Sequence, residues 1–148
     1  MIKAIVIYHT QFGNTEKIAK EVASGMEEQG IDVDCSKVEE VQISKLKEYD
    51  LLAIGGPTHG FGMSKSMKEF IKKLKQIDLK NKNAFAFDTK NSGRLWGSAA
   101  KGIEKRLKKL GLNIVKPATS AIVKGLKGPL QDGMEEKFKQ IGAALASS

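Results

Sequence analysis

The segment from His9 to Thr15 contains the residue types that bind an anion without a cation. It lies between an apolar run and a helical pattern and reads His9-Thr10-Gln11-Phe12-Gly13-Asn14-Thr15. Backbone N–H groups at a helix N-terminus and threonine hydroxyls can donate hydrogen bonds to a phosphate, and Gly13 lets a ligand approach the main chain. The segment has no Lys or Arg. It therefore predicts a phosphate site neutralised by peptide dipoles, with an ordinary helix cap by Asn14 or Thr15 as the alternative.

A second, glycine-rich segment suits a flat aromatic ligand. It follows an apolar run and reads Gly55-Gly56-Pro57-Thr58-His59-Gly60-Phe61-Gly62-Met63. Glycines let the main chain approach a ring edge, and His59 or Phe61 could cover a ring face. This composition indicates a flavin, with a turn that packs Phe61 and Met63 into the core as the alternative. The spacing fits neither a P-loop nor a dinucleotide fingerprint.

Several residues in or near these segments allow more than one interpretation. His59 could relay a proton or act as an electrostatic switch near neutral pH, but we interpret it as a ring-packing residue, and His9 as a structural one. In the later segment Asp88–Trp96, Asp88 could accept hydrogen bonds from ring N–H groups or cap the turn. Lys90 and Arg94 could place positive charge beside a ring or remain solvated, and Trp96 could belong to the core.

The elements that must position these segments follow from hydrophobic periodicity. Apolar runs predict strands at 2–8, 31–36, 51–55, 83–87 and within 112–124, the last interrupted by Pro117. Helical spacing follows each strand, over 14–29, 43–48 and 64–75, then around Ile103 and Leu107, and finally from Met134 to Leu145. Alternating strands and helices predict a parallel sheet covered on both faces, with ligands beyond the carboxyl ends of the strands.

Composition limits the class of protein. The chain has 148 residues, of which 41% are hydrophobic and 28% charged, values typical of one globular domain over 1–148. The N-terminal apolar run is too short for a membrane span and lacks the features of a signal peptide, so we expect a cytoplasmic location. Cys35 is the only cysteine, which excludes an intramolecular disulfide or a cysteine metal cluster.

Charge points to acidic partners. There are 25 Lys and Arg against 17 Asp and Glu, a formal net charge of +8. Many of the cations fall in two clusters, which solvated helix faces would also explain: Lys65, Lys68, Lys72, Lys73 and Lys75, then Lys101, Lys105, Arg106, Lys108 and Lys109. The sequence does not indicate nucleic acid as a partner, because the interleaved aromatic residues of a single-strand platform are missing.

Three motifs together resemble the flavodoxin family over nearly the whole chain. The segment from Thr10 to Lys17 resembles the phosphate loop of flavodoxins, and the segment from Pro57 to Met63 resembles the flavin loop of flavodoxin-like quinone reductases. The run from Trp96 to Leu107 is similar to the helix after the third flavodoxin loop. The resemblance implies a doubly wound α/β domain with a five-stranded parallel sheet in the order 2-1-3-4-5.

The resemblance also implies one FMN. The phosphate would lie on 10–15, the ring edge on 58–60 and the pyrimidine end near 88–92, with Gly60 at the position where a peptide flips so that its carbonyl accepts from the reduced ring. The implied cofactor-binding residues are Thr10, Gln11, Phe12, Gly13, Asn14, Thr15, Pro57, Thr58, His59, Gly60, Phe61, Asp88, Thr89, Lys90, Ser92 and Trp96. The implied function is electron transfer to redox partner proteins, with the flavin cycling between oxidised, semiquinone and hydroquinone states.

Two departures from the family keep other functions open. The third loop has no stacking tyrosine, with Ser92 near its place, and the chain is basic where flavodoxins are usually acidic. The alternatives are a small FMN-dependent NAD(P)H:quinone reductase and a flavin-free interaction module with a basic surface. A receiver domain would need an acidic cluster where this chain has Tyr8-His9-Thr10. The sequence names no catalytic acid or base and leaves the oligomeric state open.

Overall fold

A parallel sheet forms the centre of the computed structural model, which describes residues 2–60, 62–92 and 97–148. The strands are β1 (Lys3–Tyr8), β2 (Asp32–Lys37), β3 (Leu51–His59), β4 (Gly62–Met63), β5 (Asn83–Asn91), β6 (Asn113–Ile114) and β7 (Thr119–Val123). The α-helices are α1 (Asn14–Glu28), α2 (Lys65–Lys73), α3 (Ala99–Lys109) and α4 (Met134–Leu145). The alternation of strands and helices predicted from the sequence is confirmed.

The sheet has five parallel positions, and two short strands share the fifth. Its order is β2-β1-β3-β5-β6, and β7 pairs in parallel with β5 beyond β6. Pro117 lies between β6 and β7, so the fifth position is divided into two short strands. The two-residue β4 folds back antiparallel on the end of β3. The predicted order 2-1-3-4-5 is confirmed, while the strand count rises to seven because of this division and the added hairpin.

Helices cover both faces of the sheet. On one face, α1 and α4 pack on Val6, Ala53 and Phe85, and on the other, α2 and α3 pack on strand residues such as Ile7 and Ile54. Successive strand residues point to opposite faces, so both sets are buried and the strands read as continuous apolar runs. This arrangement leaves the carboxyl ends of β1, β3 and β5 as the edge where connecting segments gather.

Helix bounds differ from the periodicity in two places. The predicted helix at 43–48 is a 3₁₀ turn, Ile43–Glu48, which holds Leu46 in the core. The predicted helix at 64–75 is α2 followed by a 3₁₀ turn at Leu74–Gln76. None of the helices in the described part of the chain is long and apolar enough to cross a membrane.

Candidate functional site

A cleft opens where the strand order reverses. β1 lies between β2 and β3, and the segments after β1 and β3 diverge to opposite faces of the sheet. The His9 N–H donates to the Gly55 carbonyl across 3.1 Å and holds the two exits side by side. The residues that line the cleft are Thr10, Gln11, Phe12, Asn14, Thr15, Pro57, Thr58, His59, Thr89, Lys90, Asn91, Val123, Gly125 and Leu126.

The first helix begins at this cleft without a side-chain cap. Its N-cap is Gly13, at φ 92°, and no described side chain accepts from the first N–H groups of α1. The alternative in which Asn14 or Thr15 caps the helix is therefore wrong. Asn14 instead donates through Nδ2 to the Lys127 carbonyl at 3.1 Å. The unpaired N–H groups and the helix dipole leave a position where an anion would be stabilised.

The hydroxyls of Thr10 and Thr15 lie beside that helix terminus. Thr15 is 1% exposed, and its Oγ1 lies 2.8 Å from Oγ1 of Thr89, which is also buried. The Thr10 Oγ1 accepts from the Gly13 N–H at 3.0 Å, which shapes the turn and leaves the Thr10 hydroxyl proton free to donate. Together with the uncapped N–H groups, these hydroxyls form a set of donors that is suited to a phosphate.

The β3–β4 hairpin forms the second wall. Thr58 pairs with Met63 and His59 with Gly62, and Gly60 at the turn has φ 58°. That conformation favours glycine, and an added Cβ would meet nothing within 4 Å, so the turn is open to a ligand. Phe61, which the sequence offered as a ring cover, lies outside the described residues.

One side-chain hydrogen bond joins the first wall to the second. The His59 Nε2 lies 2.8 Å from the Gln11 Oε1 at the rim of the cleft. Although His59 is exposed at the rim, partial desolvation of its ring lowers its pKa below the usual 6.5, and repulsion from His9 adds to this effect. The neutral ring that results can donate to Gln11.

Asp88 supports the cleft from behind. It is fully buried, and its Oδ2 accepts from Ser98 Oγ at 2.6 Å, from the Ala100 N–H at 3.0 Å and from Thr58 Oγ1 at 3.1 Å. Its Oδ1 is buried without a partner among the described residues. The carboxylate thus ties the start of α3 to the hairpin wall, and Asp88 is not among the residues that line the cleft.

The third wall was not predicted from the sequence. The end of β7 contributes Val123 and the residues after it contribute Gly125 and Leu126, of which the side chain of Leu126 is 77% exposed. The Lys127 ammonium lies 5.8 Å from the centre of the Phe12 ring, so a cation stands beside the phosphate segment after all. The signal that could have marked this wall is the glycine and proline content of 125–129.

Most of the predicted site residues come together. Ten of them line the cleft: Thr10, Gln11, Phe12, Asn14, Thr15, Pro57, Thr58, His59, Thr89 and Lys90. Gly13 and Gly60 shape its turns, Asp88 lies behind it, and Ser92 is an exposed turn residue that does not line it. Trp96 lies outside the described residues, as does Arg94. No group of His, Cys, Asp and Glu in the described ranges could hold a metal ion.

Comparison with known proteins gives a consistent result. The sequence profile of the family described as Flavodoxin matches residues 6–141. The chain is 35% identical over 80 residues to probable flavodoxin 1 of Bacillus subtilis, a match that covers 53% of this chain and spans about half (51%) of that protein. It is 31% identical over 120 residues to a flavodoxin of Maridesulfovibrio salexigens, covering 78% of this chain and 82% of that one. A solved flavodoxin from the domain Archaea has a TM-score of 0.87 and 25% identity, covering 99% of this chain and 97% of that structure.

Proposed function

Because the chain belongs to the flavodoxin family, we propose that it binds one FMN in the cleft and carries electrons between redox proteins. The single observation that carries the proposal is the uncapped N-terminus of α1 beside the hydroxyls of Thr10 and Thr15. Donors that the folded chain leaves unpaired in a recess are satisfied when a phosphate group binds there. The phosphate of FMN is the group that these donors fit.

The remaining walls suit the flavin ring. Pro57, Thr58 and His59 would meet its edge, and Thr89 and Lys90 its polar end, because these residues line the cleft together with the phosphate segment. When bound, FMN supplies a ring that accepts and releases electrons one or two at a time. The protein's residues orient it, exclude water and set the local charge. The positive charge of Lys90, which lines the cleft, would favour a negatively charged form of the cofactor.

The partners are proposed to be redox proteins with acidic surfaces. The support is the formal charge of +8, which attracts oppositely charged proteins. We extend the proposal to one domain over 1–148 and to a location in the cytoplasm, for which the single cysteine is the supporting feature.

The first test is a binding titration of the purified protein with FMN and with riboflavin, which lacks the phosphate. Thr15→Val is expected to weaken FMN binding roughly tenfold, because one buried hydrogen bond to a charged group is lost, and to leave riboflavin binding unchanged. Thr119→Val, at a threonine outside the cleft that bonds the Pro117 carbonyl, serves as the matched control and should change neither.

The second measurement distinguishes a carrier from an enzyme. Anaerobic titration of the FMN-loaded protein with dithionite should show two separable one-electron steps if the protein is a carrier. A single two-electron step, together with rapid reduction by NADPH in the presence of a quinone, would favour the reductase. Absence of FMN binding would refute the proposed function altogether.

A further inference from the structure

A cationic groove runs between α2 and α3, beside the hairpin wall of the cleft. The volume of this groove is about 460 Å³. Its charged lining consists of Lys65, Lys68, Lys72, Lys75, Arg106 and Lys109, with Glu69 as the carboxylate. The first four are spaced three or four residues apart, so they lie along one face of α2 and the turn after it, while the last two belong to α3. The floor between the two rows is apolar, formed by Ile71 and Leu110.

The charges of the groove are not neutralised within the fold. None of its six cations forms an ion pair with a described residue, and Glu69 is the only carboxylate residue among the described residues that line the groove. Lys68 and Lys72 are one helical turn apart, and such like-charge pairs destabilise a helix. The first turn of α2 has no acidic residue and begins with Lys65, which opposes the helix dipole. An acidic ligand would relieve all three unfavourable arrangements.

At the Arg106 end, the groove reaches the β3–β4 hairpin, which is the second wall of the cleft. The Arg106 guanidinium lies 3.3 Å from the Met63 sulfur, and Met63 pairs with Thr58 in the β3–β4 hairpin. Met63 also approaches Gly102 of α3, where an added Cβ would lie 3.1 Å from its methyl group. A chain seated in the groove would therefore end next to the wall that we assign to the ring edge.

We propose that this groove docks an acidic, amphipathic segment of a redox partner protein, a proposal that rests on the proposed electron-transfer function. Carboxylates of the segment would pair with the two rows of cations, and its apolar side chains would enter the recess above Ile71 and Leu110. A flat anionic membrane could not reach a floor recessed between two helices. A nucleic acid strand would find no described aromatic side chain to stack on along the groove.

The test uses the FMN-loaded protein and a labelled synthetic peptide of glutamate with leucine at every third or fourth position. Fluorescence anisotropy at about 50 mM salt measures its dissociation constant. The double variant Lys68→Glu with Lys72→Glu is expected to weaken binding at least tenfold. The control Lys45→Glu with Lys137→Glu makes the same charge change on exposed lysines elsewhere and should weaken it by less than twofold. Equal losses in the two variants would overturn the proposal, because net charge alone would then explain binding.

The apolar floor has its own comparison. Leu110→Ser should weaken the leucine-containing peptide several-fold and leave a peptide with serine in place of leucine unchanged. Tighter groove-dependent binding of single-stranded DNA, or of phosphatidylserine vesicles, than of the peptide would also overturn the assignment. FMN affinity, measured on every variant, reports the fold. In the unmodified protein, absence of peptide binding with intact FMN binding refutes the groove alone, whereas absence of FMN binding refutes the proposed function instead.

Discussion

The Asp88 carboxylate joins two walls that come from distant parts of the chain. It accepts from Ser98 and from the Ala100 N–H at the start of α3, and from Thr58 on β3. The network continues outward, because the Ala99 N–H donates to Thr58 Oγ1 and the Lys101 N–H to Ser98 Oγ. A single buried group thus sets how α3 begins and where Thr58 stands at the cleft.

Replacement of Asp88 separates the loss of an acceptor from the loss of a charge. Asp88→Ala leaves a buried N–H and two hydroxyls without their acceptor and is expected to lower the free energy of unfolding by about 3 kcal/mol. Asp88→Asn keeps one oxygen for these donors and exchanges the unpartnered Oδ1 for an amide, so we expect a loss of about 1 kcal/mol or less. Urea denaturation of the cofactor-free protein measures both. Equal losses would show that the charge, rather than the acceptor, stabilises the network.

His59 gives the protein a defined pH dependence. Desolvation, with repulsion from His9 as the second cause, lowers its pKa in the folded state below 6.5. As the pH falls through this value, the unfolded chain takes up the proton first, so stability is lost toward acid and is fully present above neutrality. Between pH 8 and pH 5, the free energy of unfolding measured with urea should decrease more in the unmodified protein than in a His59→Gln variant. Parallel curves for the two proteins would contradict this assignment.

The residues of the cleft were predictable where one local segment makes the contact. Thr10 and Thr15 were found because a strand, a glycine and a helix start follow one another in the sequence. The burial of the Asp88 side chain against α3 was not predicted, because it depends on β5 running on to Asn91 and placing successive residues on opposite faces of the sheet. The wall at Leu126 was missed because it depends on the pairing of β7 with β5, a contact distant in sequence.

Two helices lie close together because each has a glycine at the crossing. An added Cβ on Gly25 of α1 would lie 2.0 Å from the Lys139 carbonyl, and one on Gly142 of α4 would lie 2.1 Å from the Val22 carbonyl. These obstacles are backbone atoms, so the helices themselves would have to move. The close approach also allows an ion pair between the helices, in which the Lys139 Nζ lies 2.9 Å from the Glu28 Oε1.

Alanine at this crossing should destabilise the fold in spite of its helix propensity. Gly142→Ala gains about 1 kcal/mol of propensity but forces α1 and α4 apart, for a net loss of about 2 kcal/mol. Gly102→Ala in α3 is the matched control, since its Cβ would meet only the flexible end of Met63, and it should be neutral or slightly stabilising. Urea midpoints measure both. Equal effects of the two substitutions would argue against the tight crossing.

Periodicity predicted the elements better than their exact form. Pro117 indicated an interrupted fifth strand, and the structure divides that strand there, since proline cannot donate to the ladder. The segment Ile43–Glu48 has the apolar spacing of a helix, yet it is too short to form stable α-helical turns and becomes 3₁₀ while Leu46 stays buried. Such short connections are decided by packing on the sheet, which single-chain patterns do not contain.

The whole molecule has a positive field that reaches beyond any one contact. The formal charge is +8. Cations lie on both sides of the hairpin wall, with Lys127 at the phosphate segment and Arg106 in the cationic groove beside Met63. A field of this sign attracts acidic reactants over about one Debye length, roughly 10 Å at 0.1 M salt. Encounter rates, rather than affinities alone, should therefore depend on the charge of the reactant.

Small redox reagents test this field without knowledge of the partner. We expect oxidation of the reduced, FMN-loaded protein by ferricyanide, a trianion, to slow roughly tenfold as ionic strength rises from about 0.01 to 0.5 M, because salt screens the attraction. Oxidation by hexaammineruthenium(III), a trication, should accelerate over the same range. Stopped-flow absorbance measures both rates. Slopes of the same sign would show that the excess charge lies away from the cleft, and charge steering toward acidic partners would then be wrong even if FMN binding is intact.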